Sequence, residues 1–100
     1  MKNKVIITDA AANDIAEQFD YICNVQRAPE NASRWLQQIY AVIHELEDFA
    51  RYARAEESDL VGVELRKRRF KSHRILYTFN EKTKLVTIHY VRHAARDRLG

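Results

Sequence analysis

The sequence predicts an α+β domain in which a strand and a two-helix antiparallel hairpin precede a three-stranded antiparallel sheet packed on the helices. With 100 residues, 46% of them hydrophobic and 31% charged, the chain is expected to form one domain over 1–100. Three patterns predict the fold: a β-branched run at 3–8, two segments of helical apolar spacing at 9–26 and 29–50, and three alternating segments at 63–70, 73–79 and 85–91.

The two helical segments carry end signals and apolar stripes. Thr8 or Asp9 can cap the first helix, and Pro29 suits the first turn of the second. The residues expected on the buried faces recur at intervals of three and four: Ala12, Ile15, Phe19 and Ile22 in the first helix, and Trp35, Ile39, Val42, Leu46 and Phe49 in the second.

The middle strand of the predicted sheet separates two sets of side chains. By alternation, His73, Ile75, Tyr77 and Phe79 share the face expected to pack on the helices. Arg74, Leu76 and Thr78 take the other face, which is expected to be exposed. The polar stretch 80–84 is short enough to join the last two strands as a hairpin.

Charge is distributed unevenly along the chain. Residues 1–50 hold four Lys/Arg against eight Asp/Glu, whereas residues 51–100 hold thirteen against six. The stretch "RKRRFKSHR" alone contains six cations, and a folded domain with this imbalance is expected to present one positive face. Such a face attracts polyanions or acidic partners. The six are Arg66, Lys67, Arg68, Arg69, Lys71 and Arg74.

Composition also argues against several classes of protein. Cys23 is the single cysteine, so no internal disulfide is expected. No apolar run approaches the length of a membrane helix, and the N-terminus lacks a signal-peptide core, which predicts a cytoplasmic protein. His89 and His93 would lie about 13 Å apart on a strand, so no shared metal is expected, and no cofactor is predicted.

The element order and several motifs resemble the RelE/ParE superfamily of type II toxin–antitoxin toxins. The resemblance is carried by "RAPENASRWLQQI" between the helices, by "LRKRRFKSHRILYTF" at 65–79 and by "VTIHYVRHAARD" at 86–97. The sequence departs from the common pattern in being more basic. Arg68 and Arg69 replace an apolar residue and a proline, and Lys71 and Ser72 replace a glycine-containing turn.

The superfamily implies two alternative activities. RelE-like members cleave mRNA in the ribosome, and metal-free cleavage of this kind needs a base, an acid and cations around the phosphate. Arg74 matches a catalytic arginine of one RelE-like branch, and His93 falls near its terminal acid/base histidine, so both would be catalytic in a RelE-like enzyme. The glutamate base has no counterpart, and Ala94 replaces the terminal tyrosine.

The ending "HAARDRLG" and the long helix hairpin resemble the ParE-like branch, which inhibits DNA gyrase. We therefore favour a gyrase-inhibiting toxin that is neutralised by a cognate antitoxin, whose acidic segment would become ordered on binding. The alternatives are a RelE-like mRNA endonuclease, with ribosome and mRNA as partners, and a non-toxic basic nucleic-acid-binding module. No membrane partner is expected. The residues expected to bind the antitoxin or target are Arg66, Lys67, Arg68, Arg69, Lys71, Arg74, Arg92 and Arg96.

Overall fold

A computed structural model describes residues 2–93 as a four-stranded sheet with two long helices on one face. The predicted α+β class is confirmed. Within residues 2–93, no helix is long and apolar enough to cross a membrane. In chain order the elements are β1 (Lys4–Ile7), α1 (Asp9–Asp20, continued by a π-helical turn over Tyr21–Val25), α2 (Pro29–Glu45), α3 (Ser58–Val61), β2 (Arg66–Phe70), β3 (His73–Asn80) and β4 (Leu85–His93).

The sheet has the strand order β1-β4-β3-β2. The three C-terminal strands form the predicted antiparallel meander, and β1 adds a fourth strand that runs parallel to β4. The Lys4 N–H donates to the Lys84 carbonyl at 2.8 Å, and the Thr8 N–H donates to the Ile88 carbonyl at 3.1 Å. The N-terminal strand β1 is therefore an edge strand of the same sheet.

The first helix begins as predicted but presents a slightly different face. The Thr8 side chain caps α1 by accepting the Ala11 N–H at 3.1 Å. Ala11 and Ile15 are fully buried, whereas Ala12, which was predicted to be buried, is exposed. Two adjacent alanines look alike in a hydropathy pattern, so only packing distinguishes the inward one.

The second helix begins at Pro29 as predicted but ends at Glu45 rather than near residue 50. The N-terminal strand captures the carbonyls that another helical turn would need. The Asn3 N–H donates to the Glu47 carbonyl at 2.8 Å, and Asn3 Nδ2 donates to the Leu46 carbonyl at 3.0 Å. Phe49, predicted to lie on the buried stripe, is consequently outside the helix and 50% exposed.

The main core lies between the helices and one face of the sheet, which we call the helix-side face. Trp35, Ile39 and Leu46 of the predicted second stripe are buried there, whereas Val42 of that stripe and Phe19 of α1 are only partly buried. The buried members from the sheet are Phe70, Ile75, Tyr77, Val86, Ile88 and Val91.

A second, smaller core covers part of the opposite face, which we call the distal face. Leu76 is fully buried there with Ala55 and Leu65, beneath the segment 53–65. The buried Ser58 hydroxyl fixes this segment by donating to the Ala55 carbonyl at 2.7 Å and accepting the Leu65 N–H at 2.9 Å. The prediction that the face holding Leu76 is exposed is therefore wrong.

Candidate functional site

The basic residues of β2 are divided between the two faces of the sheet. Cross-strand partners share a face, and the β3 partners of Arg66 and Arg68 belong to the helix-side core. Lys67 and Arg69 point to the distal face, where Arg69 stands opposite Arg74. The single positive face predicted from 66–74 is therefore split in two.

Arg74 lies on the distal face and is paired with Glu57. Its Nη1 donates to Glu57 Oε1 at 2.9 Å, and Nη2 donates to Oε2, so the guanidinium and the carboxylate meet through two bonds. Their side chains are only 13% and 6% exposed. Arg74 was expected on an exposed face, and this expectation is wrong.

The ionisation of Glu57 follows from this pairing. Burial by itself would raise the pKa of Glu57, but the hydrogen bond and the positive charge of Arg74, together with the nearby Lys67, hold that pKa below its ordinary value of 4.5. Glu57 is thus an ionised counter-charge for Arg74 at neutral pH. Both Nη atoms of Arg74 are therefore already hydrogen-bonded to the Glu57 carboxylate.

Arg92 is also neutralised within the chain. It stands opposite Arg74 on β4, and its Nε lies 3.5 Å from Asp14 Oδ2. The same Asp14 oxygen accepts the Val91 N–H at 2.9 Å, and the Arg92 guanidinium lies 5.2 Å from the centre of the Tyr90 ring. Asp14 therefore ties α1 to the part of β4 that extends beyond β1.

Arg69, Arg74 and Arg92 form one cross-strand row of three arginines on neighbouring strands. Like charges directly opposite each other destabilise a sheet. The row is tolerated because Glu57 and Asp14 compensate two of its members from different elements. Arg69 is the exposed end of this row.

On the helix-side face, Arg66 and Arg68 attach the segment after α2 to β2. Arg66 Nη1 donates to the Tyr52 carbonyl at 2.8 Å. Arg68 lies over the Tyr52 ring, 5.4 Å from its centre, and 3.4 Å from Glu45 Oε2. The guanidinium groups of these two arginines already contact residues of the same chain, so they are less available to bind a partner.

Two cations that have no ion pair among the described residues, Lys67 and Arg69, line a groove at the outer side of β2. Among residues 2–93, neither Lys67 nor Arg69 forms an ion pair. Lys71 follows at the turn, with its Nζ 5.7 Å from the Phe70 ring centre. The groove, which we call the basic groove, has a volume of about 370 Å³ and is lined by Tyr52, Ala53, Lys67, Arg68, Arg69 and Arg74.

The two residues proposed as a nuclease pair are separated by the sheet. Arg74 points to the distal face, whereas His93 stands opposite His73 on the helix-side face. The His93 and His73 rings are 5.3 Å apart, and the His73 ring packs on Trp35 at 5.6 Å. The strand register therefore gives Arg74 and His93 no shared cavity for a scissile phosphate.

His89 has a local structural role. It is the extra residue of a β-bulge in β4, and its Nε2 lies 3.0 Å from the Thr78 hydroxyl. Burial lowers the pKa of His89, which keeps the ring neutral at pH 7. Within residues 2–93, no group of three or more His, Cys, Asp or Glu side chains is placed to hold a metal ion.

Sequence reasoning missed Glu57 and Asp14, the carboxylates that decide which cations remain available. Glu57 lies in a polar stretch without periodicity, and Asp14 resembles any other acidic residue of an amphipathic helix. No local sequence pattern indicates that Glu57 pairs with Arg74 or that Asp14 pairs with Arg92. The predicted binding residue Arg96 lies outside the described residues.

The structure is a small α+β fold with a helix hairpin on a mostly antiparallel sheet and a basic strand at the sheet edge, as the resemblance to RelE/ParE-like toxins predicted. Residues 5–98 match the family described as ParE toxin of type II toxin–antitoxin system, parDE. The chain belongs to this family, which confirms the ParE-like branch. The comparison with curated proteins gave no match.

Proposed function

We propose that this protein inhibits DNA gyrase as the toxin of a type II toxin–antitoxin system, and that a cognate antitoxin neutralises it. The observation that carries this proposal is the match to the ParE toxin family over nearly the whole chain. That family implies an antitoxin partner, and Lys67 and Arg69, which form no ion pair among residues 2–93, supply a surface suited to an acidic one.

The geometry favours inhibition by binding over RNA cleavage. A metal-free nuclease needs its phosphate-stabilising cation and its proton-transfer group within reach of the same scissile phosphate. The Arg74 guanidinium is already hydrogen-bonded to Glu57, and Arg74 and His93 lie on opposite faces of the sheet. A binding mechanism requires neither group to reach a reacting atom.

The experiment runs two assays on the wild type and on Arg74→Ala and His93→Ala. In a gyrase assay, the wild type should lower supercoiling or accumulate cleaved DNA while mRNA on translating ribosomes stays intact. The two substitutions should weaken inhibition only as far as they lower stability, which the melting temperature of each variant reports. A ribosome-dependent nuclease should instead lose about 10²–10⁴-fold in cleavage rate with each substitution at unchanged stability.

The proposal is contradicted if the wild type cuts mRNA in the ribosomal A site and never perturbs gyrase. A matched control is Lys82→Ala, which removes one exposed cation in the 80–84 turn, away from the basic groove. This variant should inhibit gyrase as the wild type does.

A further inference from the structure

The two edges of the sheet differ in how well they are protected against pairing with a second copy of the chain. At the β2 edge, the Lys67 N–H bonds to the Ala53 carbonyl at 3.0 Å, and the Arg68 guanidinium bonds to the Arg69 carbonyl. The cations of β2 also repel another β2 strand. At the opposite edge, β1 carries a single charge, on Lys4, and contains no proline and no register shift. The edge open to self-pairing is therefore β1.

The outward backbone groups of β1 belong to Val5 and Ile7. The N–H and the C=O of one strand residue point to the same side, and that side alternates along the strand. The N–H groups of Lys4 and Thr8 donate towards β4, so those of Val5 and Ile7 are directed away from the sheet. Among residues 2–93, β4 is the only strand paired with β1, and no other segment bonds to the backbone of Val5 or Ile7. Together they offer two donors and two acceptors.

Neighbouring residues limit this free edge to a short stretch centred on Ile6. Asn3 is the preceding outward residue, and its N–H already donates to the Glu47 carbonyl at 2.8 Å. On the other side the helix α1 begins at Asp9. A strand pair centred on Val5 would need the backbone of Asn3, whereas a pair centred on Ile6 needs only groups that are unbonded. The free groups lie symmetrically about Ile6, so the edge is complementary to itself.

Two copies that pair antiparallel about Ile6 have a defined register. Val5 of one copy stands opposite Ile7 of the other, and each such pair exchanges two backbone hydrogen bonds, which gives four in all. Ile6 stands opposite Ile6 of the second copy as a non-hydrogen-bonded pair, with the two Cα atoms about 4.5 Å apart. Lys4 falls opposite Thr8, so the pairing places no like charges opposite each other.

The side chains of β1 favour the same arrangement. Val5 and Ile7 pack against the main core, whereas Ile6 shares the distal face with Thr87 and is 40% exposed. In the self-paired strand, the exposed Ile6 side chain would contact its equivalent across the two-fold axis. Cross-strand contacts between β-branched side chains stabilise a sheet. Self-pairing therefore removes apolar surface from water as well as satisfying the backbone.

We propose that two copies of this chain associate through antiparallel pairing of β1, which joins two four-stranded sheets into one continuous sheet in a two-fold symmetric dimer. Because the paired stretch is short, the dimer is weak and forms at high protein concentration. The basic groove lies at the opposite edge and stays outside the interface. The pairing depends on β1 alone and holds whether or not gyrase is the target.

The first test is sedimentation equilibrium of the full-length toxin without antitoxin, from about 1 μM to about 1 mM. The average mass should rise from 11.8 kDa towards twice that value. Over the same range, hydrogen exchange of the Val5 and Ile7 N–H groups should slow, while that of the Arg69 N–H on β2 should not change. A constant monomer mass would overturn the proposal. So would a dimer in which Val5 and Ile7 exchange as fast as in the monomer.

Charged substitutions of Ile6 test the register. Ile6→Glu and Ile6→Lys each place like charges across the two-fold axis and should weaken dimerisation about tenfold, whereas an equimolar mixture of the two should restore it. In a dimer centred on Val5, Ile6 would instead face Lys4, and Ile6→Glu alone would strengthen association, which would overturn the proposal. Val25→Glu is the matched control, because Val25 is 66% exposed beyond α1. It should dimerise as the wild type does.

A disulfide between the two copies tests the same contact where the charged variants fail to fold, as judged by circular dichroism. The expected Cα separation at Ile6 of about 4.5 Å lies within the range that a disulfide spans, about 4.4–6.8 Å. The Cys23→Ser/Ile6→Cys variant should form a covalent dimer with oxidised glutathione. The control Cys23→Ser/Val25→Cys should stay monomeric on the same timescale. Equal crosslinking by the two variants would refute pairing through β1.

Discussion

Arg74 stands directly opposite Arg92 across the β3–β4 pair, and each is neutralised by a carboxylate from a different element of the chain. Glu57 reaches Arg74 from the segment before α3, and Asp14 reaches Arg92 from α1. The basic character of the sheet therefore depends on two acidic residues that hold the covering segments in place. Removing either acid should affect stability and charge together.

Glu57→Gln should lower the free energy of unfolding by about 3–5 kcal/mol, because it leaves the buried Arg74 guanidinium without its counter-charge. Urea denaturation monitored by circular dichroism measures the change. Glu64→Gln is the control, since Glu64 is 62% exposed and its ion pair with Arg66 spans 3.9 Å. That variant should stay within about 0.5 kcal/mol of the wild type. A loss below about 1 kcal/mol for Glu57→Gln would contradict the pairing.

The stabilisation from Glu57 should disappear in acid. Since the folded-state pKa of Glu57 lies below its ordinary value of 4.5, the unfolded state binds more protons in the window between the two values. The stabilisation is fully present above about pH 4.5 and is lost as the pH falls through the folded-state pKa. The difference in unfolding free energy between wild type and Glu57→Gln should therefore shrink below pH 4.5. A difference independent of pH down to pH 2 would refute it.

Tyr77→Phe should destabilise the protein by about 1–3 kcal/mol. The Tyr77 hydroxyl donates to the Ala50 carbonyl at 2.6 Å and accepts the Tyr52 N–H at 3.4 Å, and the substitution leaves both groups without that partner. Thermal unfolding of wild type and variant measures the loss. Tyr40→Phe is the control, because Tyr40 is 43% exposed and should tolerate the change.

Alkaline titration gives a separate test of Tyr77. Burial is the main reason that its pKa is raised from 10.0 to about 12. Because the unfolded state loses this proton first, Tyr77 should lower the stability of the fold as the pH rises from 10 towards 12. Absorbance of phenolate in the folded wild type should include an ionisation step near pH 12, and Tyr77→Phe should abolish that step.

Trp35→Ala should cost about 3–5 kcal/mol, because the side chain is 6% exposed and packs against Phe70 and His73. Trp35 is the single tryptophan, so its fluorescence also reports its burial in the wild type. Emission should be blue-shifted in the native state and move to the red on unfolding. Water-like emission from the folded protein would show that the face of α2 is assigned wrongly.

The long apolar repeats predicted the fold because each specifies a helix or strand face without reference to distant residues. Trp35, Ile39 and Leu46 follow helical spacing and are buried, and Ile75 and Tyr77 follow strand alternation and are buried. The parallel pairing of β1 with β4 could not be predicted in this way. It joins opposite ends of the chain, and no local pattern in 3–8 names its partner.

The candidate site was less predictable than the fold. A run of six cations indicates a positive surface, but alternation along β2 divides the run between two faces. The available charge then depends on Glu57, whose position is set by the Ser58 hydrogen bonds and the small distal core. That core uses Ala55, Leu65 and Leu76, which are too scattered in sequence to form a recognisable pattern.

The parallel pairing of β1 with β4 also has a consequence for synthesis of the toxin. Lys4 pairs with Leu85, and the Thr8 N–H at the start of α1 donates to the Ile88 carbonyl, so β1 leaves the ribosome well before the strand with which it pairs. Contacts so distant in sequence form late in folding. A nascent chain lacking β4 has no partner strand for β1, no Ile88 carbonyl to accept the Thr8 N–H and no Val91 N–H to bond Asp14 of α1. Toxic activity that depends on the folded sheet therefore begins only after β4 has been synthesised.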